Sequence, residues 1–210
     1  VVVTSDHGEE FLDHGDVLHG RNHFEPVVRV PLLIRPPNLA VGRRIATPVS
    51  LVDVVPTVLG QLGIAPLEPG ELDGLDLRPL WESPGAHWPQ RGLFIEGDHN
   101  RSPAGMLASV RRGNFKLHLD RATDRVRLYD LAADPGETRD LATPRAAIAQ
   151  SLRKELDDFL EKAPQPSERL PVSDEDRSHL ESLGYIVPPD PGPSGSKENE
   201  VLPHQHRERP

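Results

Sequence analysis

The first twenty residues, VVVTSDHGEEFLDHGDVLHG, concentrate the side chains of this chain that are best suited to chemistry. Asp6 and His7 are adjacent, and both can bind one divalent cation, Asp6 through a hard anionic oxygen and His7 through a neutral imidazole nitrogen. Gly8 lets the backbone turn sharply after this pair. The sequence therefore predicts a metal site at Asp6 and His7, with a polar loop carrying an inert His7 as the alternative.

Short elements flank this pair and would position it. The β-branched run from Val1 to Val3 predicts a strand buried on both faces. Chemistry in open α/β sheets sits just beyond the carboxyl ends of strands, which is where Asp6 and His7 occur. A second strand is predicted from Val27 to Arg35, and Pro31 within it suggests an edge or a bulge.

A helix is predicted across the segment VSLVDVVPTVLGQLG, residues 49–63. Asp53 can cap this helix, Pro56 fits its first turn and Gly63 can end it. Its single predicted apolar face is formed by Val54, Val55, Val58, Leu59 and Leu62.

The stretch from residue 66 to 92 is rich in Pro, Gly and Glu and is predicted to be a loop, and four strand-like segments follow it. They are LFIEGD, GMLASVRRG, FKLHLDR and VRLYDLA, and the turn residues between them predict an antiparallel meander. Thr143 and Pro144 then predict the start of a helix. The apolar stripe of that helix could cover one face of the meander, and it comprises Ile148, Leu152, Leu156, Phe159 and Leu160. A last helix is predicted between a Ser173 cap and Gly184.

Composition excludes several classes of function. The 210 residues carry a formal net charge of −9, which argues against a nucleic-acid-binding protein. The chain has no cysteine, so disulfides, thiolate metal sites and a cysteine nucleophile are excluded within it. No apolar run approaches the roughly 20 residues needed to cross a bilayer, so no membrane span is predicted.

Taken in order, the motifs resemble the sulfatase branch of the alkaline phosphatase superfamily. The resemblance begins with TSDHGEEFLDHG, the following HG and RVPLLIRPPN, and continues with LVDVVPTVLGQLGI. ASVRRGNFKLHL with RLYDLAADPGETRDLA is similar to the family's C-terminal subdomain, and SDEDRSHLESLGYI resembles a common bacterial sulfatase ending. The ordered series covers residues 1–187 and is far more specific than any single motif in it.

The fold implied by this resemblance is α/β. Residues 1–92 would form the C-terminal part of an alkaline-phosphatase-like sandwich, which is a mixed sheet flanked by helices. Residues 93–187 would form a small antiparallel-sheet and helix subdomain. The tail at 188–210 is rich in Pro, Gly, Ser and charge, and it is predicted to be disordered.

The resemblance also implies roles for residues of the first segment. Asp6 and His7 match the second pair of metal ligands. His19 falls where the family places a Lys or His that contacts the transferred sulfuryl or phosphoryl group, which makes it the candidate catalytic and substrate-binding residue. The family's usual Lys would fall at Gly20, so Arg21 is also a candidate for substrate binding. His19 is preferred, because HG before an aromatic–acidic pair is a familiar bacterial variant.

Other polar residues have less specific interpretations. His14 matches a G-x-H-G turn of the family, and both a structural role and contact with substrate stay open for it. Glu10 is expected to be a solvated surface acid. Asp53 and Asp130 are interpreted as structural residues that bind backbone groups. His118 is expected to be an ordinary histidine without a functional role.

The activity implied by the resemblance is metal-dependent hydrolysis of sulfuric esters, with a small-molecule or carbohydrate sulfate ester as partner. Calcium is the family's usual cation, and the histidine ligand leaves Mn²⁺ or Zn²⁺ open because imidazole suits softer ions. The family's formylglycine nucleophile, in a C/S-x-P-x-R motif, lies far upstream and is absent from this chain. The chain is therefore interpreted as the C-terminal portion of an enzyme, inactive alone, and the family favours a periplasmic or secreted location.

Two alternatives stay open at this stage. The first is a phosphonate or phosphate ester hydrolase, or a phosphoryl transferase, of the same superfamily. A lone Thr or Ser nucleophile in place of C/S-x-P-x-R would indicate phosphoryl transfer. The second is a catalytically inert fragment or a part of a binding protein.

Overall fold

The structure is a computed structural model, and it describes residues 1–37, 42–65, 72–83, 85, 87–97, 106–162, 173, 176, 178 and 179. Residues 1–163 form one compact unit and residues 164–210 a second. The described part of the first unit is mixed α/β, with small sheets and few helices. The predicted domain boundary between residues 92 and 93 stays a prediction. Over the described ranges, no helix combines the length and apolar character needed to cross a bilayer.

The largest sheet of the described residues is an antiparallel meander of four strands in sequential order. Its strands are β5 (Leu93–Glu96), β6 (Leu107–Arg112), β7 (Phe115–Asp120) and β8 (Arg125–Asp130). Gly113, with φ at +58°, allows the tight turn between β6 and β7, because glycine adopts positive φ without steric cost. The predicted meander is therefore confirmed.

One face of the meander packs against the long helix α4 (Ala146–Lys162). The shared core is apolar and comprises Ala108, Val110, Leu117, Leu119, Leu128, Ala149, Leu152 and Leu156. The predicted apolar stripe of the helix is confirmed, but the helix begins at Ala146 instead of Pro144. The preceding residues form a separate turn, in which the Arg145 amide donates to the Leu141 carbonyl over 2.9 Å.

The prediction of one strand from Val27 to Arg35 is wrong. The segment forms a short helix, α1 (Glu25–Val28), followed by the strand β4 (Leu32–Ile34). Pro26 has the φ value of a first helical turn and lacks only a donor that such a turn leaves unpaired. The Phe24 carbonyl then accepts hydrogen bonds from the amides of Val27 and Val28, at 2.9 and 3.1 Å.

β4 pairs antiparallel with β1 (Val2–Thr4), and this pair ends next to Asp6 and His7. The predicted strand at the start of the chain is present, but it is not buried on both faces, since the Val3 side chain is 54% exposed. The physical reason is that β4 is the only strand that pairs with β1 among the described residues. A short hairpin of β2 (Glu10–Phe11) and β3 (Val17–Leu18) follows Asp6 and His7 along the chain.

The predicted helix at residues 49–63 is present as a 3₁₀ turn, Leu51–Asp53, that continues into α2 (Val54–Leu62). Gly63 ends α2 with φ at +70°, as predicted. Asp53 occupies the N-cap position of α2, but its side chain makes no capping hydrogen bond to α2; its Oδ2 accepts the Ser50 amide over 2.8 Å. The predicted apolar face of α2 is largely exposed, and Thr57 is the residue of α2 that is buried.

The remaining predictions concern the loop after α2 and the last helix. A short helix α3 (Pro79–Glu82) lies within the stretch predicted as a loop. Ser173 caps the start of the last predicted helix, because its Oγ accepts the Asp176 amide over 3.1 Å. Residues 174, 175, 177 and 180–184 of that helix lie outside the described residues, as do the tail at 188–210 and residues 66–71, 84 and 86 of the predicted loop.

Candidate functional site

Asp6 and His7 lie in the loop that leaves β1, and local hydrogen bonds hold both residues. Ser5 Oγ donates to the His7 carbonyl over 2.7 Å, and the His7 amide donates to Asp6 Oδ1 over 3.0 Å. The Asp6 side chain is 80% exposed. Hydrogen bonds from the backbone amides of Asp6 and His7 lower the pKa of Asp6 below its usual value. Asp6 is therefore an exposed and ionised carboxylate.

The His7 ring is oriented by the backbone that follows it. Its Nδ1 lies 2.8 Å from the Gly8 carbonyl oxygen. A carbonyl can only accept, so Nδ1 carries the proton and Nε2 carries the lone pair. Nε2 in turn lies 3.8 Å from Asp6 Oδ2. The two side chains thus present an imidazole lone pair and a carboxylate oxygen toward each other.

The loop is fixed on α1 by a close approach of two backbones. The Gly8 amide donates to the Val27 carbonyl over 2.7 Å, and the Glu9 amide donates to the Pro26 carbonyl over 3.0 Å. A Cβ at position 8 would lie 2.0 Å from the Pro26 oxygen, so only glycine fits. The sequence explained Gly8 by a sharp turn, whereas the structure shows that it provides room for α1.

His19 lies directly against His7. The two imidazole rings stack with their centroids 3.8 Å apart and an interplanar angle of 24°. His19 Nδ1 lies 3.2 Å from Glu9 Oε1, and this hydrogen bond orients the ring. Asp6, His7 and His19 line one open groove with a volume of about 1330 Å³. The structure therefore brings together three of the four residues that the sequence selected.

Arg21, the fourth candidate, points elsewhere. Its guanidinium lies 3.5 Å from Asp16 Oδ1, and its side chain is 46% exposed. The geometry is more favourable to His19 than to Arg21 as the substrate-binding side chain next to Asp6 and His7. This geometry does not test the substrate-binding role of either residue, and both roles stay predictions.

His14 and Glu10 form a buried pair and not a surface feature. His14 Nδ1 lies 2.7 Å from Glu10 Oε1, and His14 Nε2 lies 2.9 Å from the Gly136 carbonyl oxygen. The expectation that Glu10 is a solvated acid is wrong, since this residue is only 1% exposed. It is buried because its carboxylate also accepts the His14 amide, which closes the β2–β3 hairpin. Phe24 stacks on the His14 ring with centroids 3.7 Å apart.

The second face of the meander carries a largely buried cluster of ionisable residues, here called the ion cluster: Glu25, Arg111, Lys116, His118 and Glu137. Lys116 Nζ lies 3.0 Å from Glu25 Oε1 and 3.1 Å from Glu137 Oε1. His118 Nε2 donates to Glu137 Oε1 over 3.0 Å. Arg111 reaches Glu25 Oε2 over 3.4 Å. Two carboxylates therefore balance two cations, as burial of charge requires.

The surroundings of the ion cluster set its protonation states. Burial lowers the pKa of His118 to about 4, although the hydrogen bond to Glu137 opposes this shift. His118 is therefore neutral at pH 7. Burial alone would raise the pKa of Glu137, but the His118 hydrogen bond and the Lys116 charge outweigh it and hold the pKa below its usual value. Glu137 is consequently an ionised acceptor.

His23 provides a further link between the first segment and the meander. Its Nδ1 lies 2.9 Å from Ser109 Oγ on β6, and its Nε2 lies 2.8 Å from the Gly97 carbonyl oxygen. Burial lowers the pKa of His23 to about 4, so its ring is neutral: Nε2 donates to Gly97 and Nδ1 accepts from Ser109. This contact joins residues that are 86 positions apart in the chain.

Sequence reasoning missed the ion cluster and treated His118 as ordinary. Lys116 and His118 alternate with apolar residues in β7, a pattern that normally indicates a solvent-exposed face. The sequence feature that could have indicated the ion cluster is Glu137, which lies in the segment DPGE of the LYDLAADPGE motif. By contrast, Asp130 accepts the Ala132 amide over 3.1 Å, and Asp53 is buried with Arg91, so the structural interpretation of both acids is confirmed.

Comparison with known proteins gives matches along most of the chain. The pattern of the sulfatase family matches residues 1–64. The chain is 31% identical to mouse (Mus musculus) arylsulfatase K over 163 residues, which covers 74% of the chain and 29% of the mouse protein. It is 36% identical to choline-sulfatase of Rhizobium meliloti (strain 1021) over 147 residues, covering 66% of the chain and 28% of that protein. The chain thus spans less than a third of the length of these relatives.

Solved structures agree at the level of the fold. The crystal structure of the phosphonate monoester hydrolase of Agrobacterium radiobacter superimposes with a TM-score of 0.61 and 30% sequence identity. The superposition covers 77% of the chain and 34% of the hydrolase chain. The described residues are therefore structurally similar to one part of that hydrolase.

Proposed function

The chain belongs to the sulfatase family of the alkaline phosphatase superfamily, and on this premise we propose that a protein carrying it hydrolyses sulfuric esters. The observation that carries the proposal is the stacking of His19 on His7, beside the exposed carboxylate of Asp6. An imidazole lone pair, a carboxylate and a second imidazole meet in one groove, and together they can bind a cation and an oxyanion.

A divalent cation is the group that the family implies, and the donors present fit one part of its coordination sphere. His7 presents Nε2 as an acceptor because its Nδ1 proton is used by Gly8. Asp6 Oδ2 lies 3.8 Å from that nitrogen, a spacing that two ligands of one ion at about 2.0–2.5 Å each can span. No group of three or more acidic or histidine side chains in the described ranges could hold an ion. Asp6 and His7 would therefore share the ion with ligands outside these ranges.

The proposed cation is calcium, with Mn²⁺ or Zn²⁺ as the alternatives that the imidazole ligand allows. When bound, the ion supplies positive charge that stabilises the sulfate oxygens in the transition state. Asp6 and His7 hold it and orient it. Its identity can be tested directly, because the three ions differ in ligand preference and coordination number.

His19 is proposed to contact the sulfate group. Its Nδ1 proton is held by Glu9, which fixes the tautomer and the plane of the ring. A positioned imidazole of this kind can stabilise negative charge on an oxygen or protonate a leaving alcohol. Arg21 is the second candidate for this contact, although its guanidinium pairs with Asp16. The nucleophile would be a formylglycine contributed by sequence outside this chain, so the chain alone is proposed to be inactive.

The finer fold assignment belongs to the same proposal. We infer that residues 1–92 complete an alkaline-phosphatase-like sandwich with a mixed sheet, and that the meander and α4 form its small subdomain. Exposure of Val3 in β1 and of Leu33 in β4 supports this assignment, because such a strand pair would be covered inside a larger sheet. The proposed substrate is a sulfate ester of a small molecule or a carbohydrate.

The alternative function is hydrolysis of phosphonate or phosphate esters. The similarity to the Agrobacterium radiobacter phosphonate monoester hydrolase favours it specifically. Sulfate and phosphonate monoesters both present oxygens to a cation and to cationic side chains, so Asp6, His7 and His19 would serve either reaction. The proposal therefore depends on which ester reacts faster.

The test is a direct comparison of 4-nitrophenyl sulfate and 4-nitrophenyl phenylphosphonate as substrates of a protein that carries this chain. We expect release of 4-nitrophenol from the sulfate with the larger kcat/KM, and loss of that activity in the Asp6→Ala variant. A larger kcat/KM for the phosphonate would establish the alternative. Absence of turnover of either ester by protein that contains the nucleophile motif and bound metal would overturn the proposed function.

A further inference from the structure

We propose that Glu137 is a positioning residue that holds the segment carrying His19 in its place against the meander. The proposal rests on the proposed function for its catalytic consequence, but its geometric part can be tested separately. Glu137 lies 112 residues beyond Glu25 in the chain and is only 2% exposed. It contributes no group to the groove beside Asp6 and His7, so its effect on the site would pass through other residues.

Hydrogen bonds within the turn that carries Glu137 orient its side chain toward the ion cluster. The Glu137 amide donates to the Asp134 carbonyl over 3.1 Å, and Asp134 Oδ2 accepts the amides of Thr138 and Arg139 at 2.8 Å each. Glu137 has φ at +49°, a left-handed conformation that residues other than glycine rarely adopt and that the surrounding structure must hold in place. The turn holds this conformation, and the carboxylate is thereby aimed into the ion cluster.

Each oxygen of the Glu137 carboxylate has a defined partner. Oε1 accepts from His118 Nε2 over 3.0 Å. Oε2 accepts from the Glu25 amide over 2.6 Å, and Lys116 Nζ lies 3.3 Å from the same oxygen. Two of these partners belong to β7, and the third is the first residue of α1. Glu137 is therefore a bridge between the rigid meander and α1.

The same turn makes a second contact with the first segment. The Gly136 carbonyl accepts from His14 Nε2 over 2.9 Å. His14 lies five residues before His19 in the chain, and Glu25 lies six residues after His19. The loop that carries His19 is consequently attached on both sides to one turn of the chain, at Gly136 and Glu137.

A short path leads from α1 to the metal-ligand pair. Glu25 begins α1, whose carbonyls at Pro26 and Val27 accept the amides of Glu9 and Gly8. Gly8 directly follows His7, and the Glu9 carboxylate binds His19. A shift of α1 would therefore displace His7 and His19 together. A displacement of about 1 Å at a catalytic group commonly costs about 100-fold in rate.

Replacement of Glu137 by Gln tests this path because it preserves the size of the side chain. The amide group of Gln offers one accepting oxygen and one donating nitrogen, and it removes the negative charge beside Lys116. Oε1 of Glu137 faces the donor His118 Nε2, and Oε2 faces the Glu25 amide and Lys116 Nζ, which are also donors. The nitrogen of Gln would therefore face a donor in either orientation. We expect α1 to move away from the meander in this variant.

The matched control is Glu155→Gln. Glu155 lies on α4, where Oε2 accepts from Arg112 Nε over 2.8 Å. This change also removes one carboxylate that is paired with a cation of the meander, but on the face that contacts α4. The two variants therefore remove the same chemistry, and only Glu137 contacts the segment that carries His19.

The experiment measures the imidazole resonances of His7 and His19 by NMR in protein labelled with ¹⁵N at histidine, using the complete chain. Ring stacking at 3.8 Å gives these two rings characteristic shifts. We expect Glu137→Gln to change both sets of shifts and Glu155→Gln to leave them at wild-type positions. In a protein that turns over ester, we expect kcat to fall about 100-fold in Glu137→Gln with a much smaller change in KM.

A less disruptive variant covers the case in which Glu137→Gln does not fold. Glu137→Asp keeps the charge beside Lys116 but is shorter by one methylene group, so it loses the contact with the Glu25 amide. Changed His7 and His19 resonances in this variant support the proposal. Wild-type resonances in a folded Glu137 variant, or the same changes in Glu155→Gln, would overturn it. A wild-type protein without esterase activity would overturn the proposed function alone, since the NMR comparison would still decide the positioning role.

Discussion

The imidazole ring of His19 stacks on that of His7, with centroids 3.8 Å apart, although the two residues are separated by an entire hairpin. Arg21, only two residues further along the chain, pairs with Asp16 and does not join them. Because the fold selects His19 and not Arg21 for this contact, variants of the two residues should differ strongly in activity.

We therefore expect His19→Ala to lower kcat by roughly 100-fold or more in an active protein carrying this chain, as loss of one positioned electrostatic donor commonly does. Arg21→Ala should change kcat by less than about 10-fold, because it removes only an exposed ion pair. The measurement is steady-state kinetics with an aryl sulfate. The reverse order of effects would show that Arg21 makes the sulfate contact.

Asp6 should control metal content and activity together. Asp6→Ala removes an exposed carboxylate and leaves His7 as the only ligand of the proposed pair, so we expect a large loss of bound cation and of turnover. Asp13→Ala is the control, since Asp13 is an acid of the neighbouring hairpin, and it accepts a long hydrogen bond, 3.4 Å, from the Phe11 amide. The measurement is the metal content of the purified variants. Full occupancy of the metal site in Asp6→Ala would exclude Asp6 as a ligand.

Gly8→Ala should damage the site without removing any functional group. The added Cβ would lie 2.0 Å from the Pro26 oxygen, so the loop and α1 must separate. We expect metal affinity, measured by calorimetric titration, to fall at least 10-fold. A 10-fold loss corresponds to only about 1.4 kcal/mol of binding free energy. Gly42→Ala is the matched control, because a Cβ at Gly42 meets no atom of the described residues within 4 Å. Equal affinities in the two variants would contradict the close approach.

Acid should destabilise the chain between pH 6.5 and about 4. Burial lowers the pKa of both His23 and His118 to about 4 from the ordinary 6.5, so the unfolded chain binds more protons across this window. The free energy of unfolding therefore falls as the pH drops, by on the order of 3 kcal/mol per histidine at the lower end. Urea unfolding at a series of pH values measures this slope. A His23→Gln variant should have a shallower slope, and a flat wild-type profile would show that neither ring is buried in the neutral form.

The chain by itself should associate through the exposed side of α2. Val55 and Leu62 are 53% and 66% exposed, and large contiguous apolar patches promote association. We expect light scattering to show oligomers for the wild-type chain and a shift toward monomer for the Val55→Lys/Leu62→Lys variant. The Gln150→Lys/Ser151→Lys variant adds the same two charges at exposed positions of α4 and should change nothing. A monomeric wild-type chain at high concentration would contradict this expectation.

The elements that the sequence predicted well are those whose contacts are local. The meander follows from alternation and turn residues, and α4 follows from the spacing of Leu152 and Leu156, which point to the same core. The segment VVRV was misassigned because β-branched residues favour strands, whereas Pro26 and the Phe24 carbonyl decide in favour of a helical turn. Sequence rules based on neighbouring residues cannot decide between the strand preference of the valines and the helical turn that begins at Pro26.

The candidate site was only partly accessible for a related reason. Asp6, His7 and His19 lie in one short segment, and their residue types already indicated chemistry. The buried charges at Lys116 and Glu137 looked like surface residues, because a strand pattern does not reveal what covers its polar face. Their partner Glu25 lies far away in the sequence, and such pairings depend on the tertiary fold.

The links between the first segment and the meander also constrain the order in which the chain can fold. β6, β7 and β8 join residues that are close in sequence, whereas the contacts of Glu25 with Glu137 and of His14 with Gly136 close loops of 112 and 122 residues. Local pairings form first, because long loops carry a larger entropic cost before any contact repays it. During synthesis at about 5–20 residues per second, His14 and Glu25 would leave the ribosome several seconds before their partners. The segment with the reactive side chains is therefore made early and ordered late, on a meander that must already be in place.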